Sequence, residues 1–433
     1  MFPSYFKYNT DKFQRLGVLK VLVAMLDPQR RSQATDSIVR NLTNALDLKQ
    51  PRADREFGDE IEEESRGALL VKEADCTSLN FRFTKKSAYE IINWGKLYGF
   101  IGAGNQITER GLLLRHLMGE AAVKSILDNT FEVNPFRLTL EEKIYFLFRH
   151  FEVDTTIHFV IRRIAAESWK EGIRGVEADK IVCRSLYDLY LLSKENRRGF
   201  DAMSLQGLRE LIARSASEIG LQDEIPLRIG SISQRPSRPN IKPEQKNKKR
   251  TKTADHEAIS RFEFLADLGL VRKPTGISTE SDKKDPRKSW HYWPTPDLYN
   301  LVARLQAVPA KDFCYHAFAS AVTSIVPPAG LTFSPVVDRI DIARRAYEAY
   351  LIVKRVFGHT PLESVATVAM IRALADSTIL EMAHIHGFFL NLKINDSFPG
   401  IVHFAAGNEI DRMFIDIKPS FLNEFRSTND QSS

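Results

Sequence analysis

The stretch "WGKLYGFIGAGNQITERGLLLRHL", residues 94–117, carries the reading of the fold. It starts as the end of an apolar helix, breaks at Gly99, Gly102 and Gly104, and restarts as "TERGLLLRHL". Glycine ends helices in the left-handed conformation and permits tight turns, so the pattern predicts helix, short hairpin, helix. Upstream, Ser87 and Glu90 match a capping box, which predicts a helix that opens there and closes near Tyr98 and Gly99.

The same order recurs later. "DHEAISRFEFLADLGLVRK", residues 255–273, predicts a helix running into a short strand, and "WHYWPTPDLYNLVARL", residues 290–305, a strand running into a helix. Thr295 as cap, Pro296 at the first helical position and Asp297 in the first turn mark that helix start. No fixed period links the two copies, which points to duplication of a module rather than a solenoid.

This order resembles that of winged helix domains, in which a recognition helix runs into a β-hairpin and the second strand ends in a Thr-Glu-x-Gly type of helix start. "ITERG", residues 107–111, is close to that form. The resemblance implies recognition of duplex DNA, with one face of the helix forming a small core and the other reaching bases or phosphates. In the first copy Ile91, Ile92, Leu97 and Phe100 are expected in the core, leaving Lys85, Lys86, Tyr89, Asn93 and Lys96 free. In the second, Phe262, Leu265, Leu268 and Leu270 are the expected core and His256, Ser260 and Arg261 the free face. The second loop carries Arg272, Lys273, Lys283, Lys284, Arg287 and Lys288, a wing suited to phosphate. The first loop has no cation and follows the acidic "DEIEEES", so the second copy is expected to grip DNA and the first to dock. Proteins with this layout resemble the DNA-recognition parts of restriction and phage-defence systems and some transcriptional regulators.

Composition is compatible with a protein partner or a polyanion and excludes other classes. At 433 residues the chain suggests about three domains. Hydrophobic and charged contents of 43% and 27% are those of globular proteins, not of disordered ones. Cys76, Cys183 and Cys314 fit neither a disulfide framework nor a Cys-x-x-Cys zinc site, and the N-terminus lacks a signal peptide core. With "LGVLKVLVAML" interrupted by Lys20 and too short to span, the expectation is a cytoplasmic protein with no membrane partner. Residues 235–252 hold eight Lys or Arg against one Glu, a surplus of +7 that exceeds the +6 of the whole chain. Lys248, Lys249 and Arg250 lie there, in a solvated linker suited to sequence-independent phosphate contacts.

The predicted organisation is multidomain and mainly α with small β-hairpins, ending in an α+β region. It runs as N-terminal helices plus the first module (1–125), a helical domain (126–230) in which Thr139 and Glu142 form a capping box, the basic linker (231–254), the second module (255–310) and the C-terminal domain (311–433). In that last domain two long helices are expected from "DRIDIARRAYEAYLIVKRVFG" and "PLESVATVAMIRALADSTILEMAH", and strands from "FFLNLKI", "IVHFA" and "MFIDI".

Catalytic motifs are sparse. No P-loop, GxGxxG, HExxH or GxSxG occurs, and no cofactor is implied. "IDIKPS" places Asp416 and Lys418 in alternation, with Asp396 twenty residues before Asp416. This resembles the carboxylate and Lys arrangement of PD-(D/E)xK nucleases, where Mg²⁺ is held by carboxylates; it defines an enzymatic alternative. Glu381, His384, His386 and His403 are unpromising as a metal set, because helical positions two apart do not share a face. Trp290, Tyr292 and Trp293, beside Lys288 and His291, could stack on bases, but their place at a strand start suits core closure better. The expectation is therefore a nucleic-acid-binding protein without chemistry of its own. The other alternative is a structural subunit whose modules bind proteins, including a second copy of the chain.

Overall fold

The computed structural model describes residues 16–46, 85–128, 138–195, 202–227, 253–272, 291–305, 310–323, 325, 332–336, 338–395, 398, 402–406 and 413–430. The fold is mainly helical with a few small strand pairs. Two compact units are present, one built from Met1–Leu16, Asp47–Glu90 and His150–Tyr299, the other from Gly17–Leu46, Ile91–Arg149 and Asn300–Ser433. These units interleave along the chain, whereas the domains read from sequence follow one another.

In the first unit, α7 (Thr156–Ala166), β1 (Ile173–Arg174), α8 (Gly175–Glu195), α9 (Ala202–Ile219), α10 (Thr253–Asp267), β2 (Val271–Arg272) and β3 (His291–Pro294) follow in order. Helix α8 packs against α7, α9 and α10, and the strands form an antiparallel sheet in the order β1-β3-β2. Ile157, Ile161, Ile181, Leu186, Leu189, Ile212, Phe262, Leu265 and Tyr292 are buried and form its apolar interior. Asp154 stands before α7, where its Oδ1 accepts from the Thr156 backbone N–H at 3.2 Å.

The second unit opens with α1 (Gly17–Met25) and α2 (Thr35–Leu46). It continues with residues 91–97 of α3 (Lys85–Leu97), then α4 (Glu109–Met118), α5 (Glu120–Leu127) and most of α6 (Leu140–Val153). Thr139 and Glu142 form the predicted capping box, the Thr139 N–H reaching Glu142 Oε2 at 2.7 Å and the Glu142 N–H reaching Thr139 Oγ1 at 3.3 Å. The same Oε2 accepts from Lys20 Nζ at 2.7 Å, so the lysine that interrupts the apolar α1 is buried in an ion pair. Arg115 of α4 donates to the carbonyls of Val23, Ala24 and Leu26, satisfying orphan acceptors at the end of α1.

The C-terminal part of this unit contains most of α11 (Pro296–Leu305), α12 (Ala310–His316), α13 (Phe318–Val322), β4 (Ser334–Pro335) and α14 (Arg339–Phe357). After these come α15 (Leu362–Ala375), β5 (Thr378–Ile379), α16 (Met382–Ile394), β6 (Val402–Ala406), β7 (Met413–Ile417) and α17 (Phe421–Asp430). Helix α14 packs on α15 and α15 on α16, while β4 pairs with β5 in parallel and β6 with β7 in antiparallel. Asp338 caps α14 by accepting from the Ile340 N–H at 3.0 Å, and Gly358 ends it in the left-handed conformation.

Two sequence expectations fail here. "FFLNLKI" belongs to helix α16, not to a strand; Met382, Ile385, Phe388, Phe389 and Leu392 are buried at helical spacing. The helix expected through residue 384 stops at Ala375, where Ser377 takes a φ of 57° and leads into β5.

Candidate nucleic-acid interface

The duplicated pattern recurs bond for bond. In the first copy α3 ends at Gly99 (φ 71°), the Phe100 N–H reaches back to the Gly95 carbonyl at 2.8 Å, and Ile101 pairs with Ile107. In the second, α10 ends at Gly269 (φ 79°), the Leu270 N–H reaches the Leu265 carbonyl at 2.8 Å, and Val271 pairs with Pro294. The Thr108 N–H then bonds the Phe100 carbonyl at 3.0 Å, as the Thr295 N–H bonds that of Leu270 at 3.1 Å. Each threonine hydroxyl donates to the carbonyl of its glycine, Thr108 to Gly99 and Thr295 to Gly269. "TERG" has a physical basis: Gly111 donates its N–H to Thr108 Oγ1 at 3.2 Å, and a Cβ there would lie 2.4 Å from the Phe100 oxygen.

The copies differ in what they expose. On α3, Ile91, Ile92, Trp94 and Tyr98 face inward, while Tyr89, Asn93, Lys96 and Leu97 are exposed on the opposite face. Leu97, expected in the core, is 45% exposed, and Trp94 and Tyr98 take its place. The short loop does not project as a wing. The Gln33 N–H bonds the Gly104 carbonyl at 3.1 Å, and Asn105 Nδ2 donates to the Gln33 carbonyl at 3.0 Å and to Thr35 Oγ1 at 2.9 Å. The glycine loop is thus fastened to the connection between α1 and α2, and Asn93 and Lys96 of α3 are exposed.

Helix α10 has the opposite character. Phe262, Leu265, Leu268 and Leu270 form core as expected, but Ser260 and Arg261, expected on a free face, are fully buried. Arg261 Nε bonds Asp154 Oδ2 at 2.8 Å and its Nη1 bonds Glu257 Oε2 at 2.9 Å. Burial alone would push the Asp154 carboxyl up, yet the Arg261 guanidinium holds it below the ordinary carboxylate range. Glu263 accepts from the Tyr292 hydroxyl at 2.6 Å. Every residue from Glu257 to Leu265 is buried, so this helix as it stands cannot enter a groove. Arg261 is accordingly a structural ion-pair partner, not a nucleic-acid contact.

Of the other sequence-predicted residues, Lys85 and Lys86 form the first turn of α3, with their side chains outside the described residues. The helix starts ahead of Ser87, so Ser87 is not its cap. Arg272 is exposed on β2. Lys248, Lys249, Arg250, Lys273, Lys283, Lys284, Arg287 and Lys288 lie outside the described residues, as does Asp396 of the nuclease alternative. Asp416 Oδ1 accepts from the Tyr350 hydroxyl at 2.6 Å and from Lys354 Nζ at 2.7 Å. Its hydrogen-bonded partner is thus Lys354 of α14, a residue with no signal in the strand pattern, while Lys418 follows the end of β7. The Glu381 carboxylate is spent on the Ala319 and Ser320 N–H groups at the start of α13, at 2.9 and 2.7 Å. Among the described residues no group of three His, Cys, Asp or Glu is placed to hold a metal, and no helix is long and apolar enough to cross a membrane. Cys183 and Cys314 are free and buried, and burial pushes both thiols up to about 12. No protein-family model matches the chain, and no curated protein or solved structure matches it significantly.

Proposed function

We propose that the protein binds nucleic acid, foremost duplex DNA, through the exposed face of α3, within a defence or regulatory assembly. In this reading both copies are winged helix modules. What supports it in the second copy is the run α7, β1, α8, α9, α10 and the paired strands β2 and β3, with β1 beside β3 and α9 as an added helix between α8 and α10. The single observation that carries the assignment to the first copy is exposure. Asn93 and Lys96 stand one turn apart on the open side of α3, and their equivalents on α10, Glu263 and Ala266, include a fully buried acid. Asn suits adenine edges and Lys suits guanine edges in a major groove. The buried α10 favours a packing role for the second helix, with its basic loop left to contact phosphate.

The test is a gel-shift series on duplex and single-stranded DNA at several salt concentrations. Duplex binding that drops about tenfold in Lys96→Glu, equivalent to ~1.4 kcal/mol, is the expected result. Unchanged duplex binding by this variant removes α3 from the interface. The nuclease alternative rests on Asp416, whose Oδ1 accepts from Lys354 and Tyr350, while its second carboxylate, Asp396, lies outside the described residues.

A further inference from the structure

The outer face of the three-stranded sheet carries a pairing of cations with aromatic rings. In β3, Tyr292 points inward and is 1% exposed, which places His291 and Trp293 on the opposite face. In β1, Ile173 is buried and Arg174 exposed; in β2, Val271 is buried and Arg272 exposed. The register sets Arg174 directly across from His291 and Arg272 directly across from Trp293. Cross-strand neighbours on one face lie about 5 Å apart at Cβ, so each arginine leaves the sheet beside a ring-bearing position. The His291 and Trp293 rings are 5.6 Å apart between centroids, at 48°. Gly172, at a φ of 80°, is the floor on which the indole rests, since a Cβ there would come within 2.8 Å of the ring.

The His291 and Trp293 rings are partly exposed, and Arg174 and Arg272 beside them are exposed. Bases stack on such rings irrespective of sequence, while arginines hold the adjacent phosphates. Arg174 has an ion pair with Glu171 at 2.9 Å, but both groups are well exposed, so that bond is weak and a phosphate can replace it. Arg272 has no ion-pair partner among the described residues. The charge is complementary to a nucleic acid strand: the two exposed cations flank the rings, and the sequence joining β2 to β3 holds five Lys or Arg against three acids.

We propose that this sheet face binds single-stranded nucleic acid, an unpaired base stacking on Trp293 and His291 while Arg174 and Arg272 hold its flanking phosphates. The site uses no residue of α3 and extends the protein's range beyond a paired duplex. Sequence placed the aromatic cluster in the core; the structure divides it, Tyr292 going inward and Trp293 outward.

The experiment measures fluorescence anisotropy of the full chain with a dye-labelled oligothymidylate and with an abasic deoxyribose-phosphate oligomer of equal length and charge. Stacking should make the thymidylate bind at least about fivefold more tightly than the abasic strand. Trp293→Ala should erase that difference, Trp293→Phe should keep most of it, and Arg272→Ala should weaken both strands. Equal affinity of the wild type for both strands overturns the proposal, and so does a folded Trp293→Ala that retains the difference. Since the indole rests on Gly172, circular dichroism checks the fold; should Trp293→Ala not fold, the double variant His291→Ala/Arg272→Ala decides, and unchanged thymidylate binding by it overturns the site. Lys96→Glu is run in parallel: it should leave the thymidylate difference intact, so failure of the α3 reading and failure of this one are separable.

Discussion

The hydroxyl of Thr295 donates to the carbonyl of Gly269 at 2.9 Å, and Thr108 makes the same bond to Gly99. Each bond closes a hairpin onto the end of the helix before it, and it requires the left-handed glycine that turns the carbonyl toward the threonine. Alanine at either glycine should cost about 1–2 kcal/mol for the left-handed conformation alone. The two sites then differ: a Cβ on Gly269 meets nothing within 4 Å, whereas on Gly99 it would lie 3.2 Å from the Arg149 guanidinium and 3.4 Å from that of Arg110. Gly99→Ala is expected to destabilise more than Gly269→Ala in chemical denaturation. The opposite ranking would show that the two junctions are not equivalent in the way the bonds suggest.

A second expectation concerns Lys20 and Glu142, whose side chains are 3% and 1% exposed. Removing one member of a buried pair strands the other charge, which typically costs about 3–5 kcal/mol, while replacing both with apolar groups of similar size is far milder. Glu142→Gln should therefore lower the stability of the second unit strongly. Lys20→Met combined with Glu142→Leu should recover a large part, though not the capping contribution of about 1 kcal/mol. Equal losses for the single and double variants would argue against charge burial as the cause.

Much of this frame was legible because it is local. The capping box at Thr139, the Thr295-Pro296 helix start, the glycine ends and β7 at Met413–Ile417 depend on residues a few positions apart. What was not legible depends on distant partners. Arg261 looks free along α10, and only the approach of Asp154, 107 residues earlier, turns it into core. Lys20 looks like an interruption of α1 until Glu142, 122 residues away, meets it. Leu97 and Tyr98 are adjacent, so a one-residue difference in phase exchanges which of them is buried, and local periodicity does not fix that phase.

Stability of the first unit should fall on mild acidification. Burial holds the His150 imidazole down at about 4 and that of His158 down at about 3, with the nearby Arg162 adding to the effect at His158. The groups facing them include Asp154, which opposes the shift, and Arg261, which adds to it at His150. In the unfolded chain both rings take up protons below about pH 6.5, so the unfolded state binds more protons and stability rises with pH across this window. The contribution is complete above about pH 6.5 and is lost as the pH falls toward 4, roughly 2 kcal/mol per histidine by pH 5. Denaturation at pH 7 and pH 5 measures the slope, and NMR should find two histidines neutral at pH 5. Ordinary titration of all ten near 6.5 would refute the burial of these rings.

The linker bears on affinity rather than on specificity. Its eight cations against one acid lie in sequence without apolar periodicity. Lys248→Ala, Lys249→Ala and Arg250→Ala together should weaken DNA binding equally for all sequences, with the salt slope flattening by about 0.9 for each phosphate that is no longer neutralised. Thermal stability should hardly change. An unaltered slope would reduce the linker to a tether.

The last expectation separates the helix from the second loop. Charge in a loop reaches phosphates, which are the same in every sequence, whereas a side chain on an open helix face reaches base edges, which are not. Lys283→Glu with Lys284→Glu should therefore lower affinity for all duplexes by a common factor and leave their ranking intact. Asn93→Ala should alter the ranking, with discrimination at one base pair falling by about 1–3 kcal/mol and others unaffected. Asn93 is exposed on α3, and the neighbouring glycine loop is held by Asn105 to Gln33 and Thr35. Selection of binding sites from a random duplex pool, performed with both variants, measures the two effects at once. A pool from Asn93→Ala that matches the wild type, together with one from the loop variant that differs, would move sequence reading from α3 to the loop between β2 and β3.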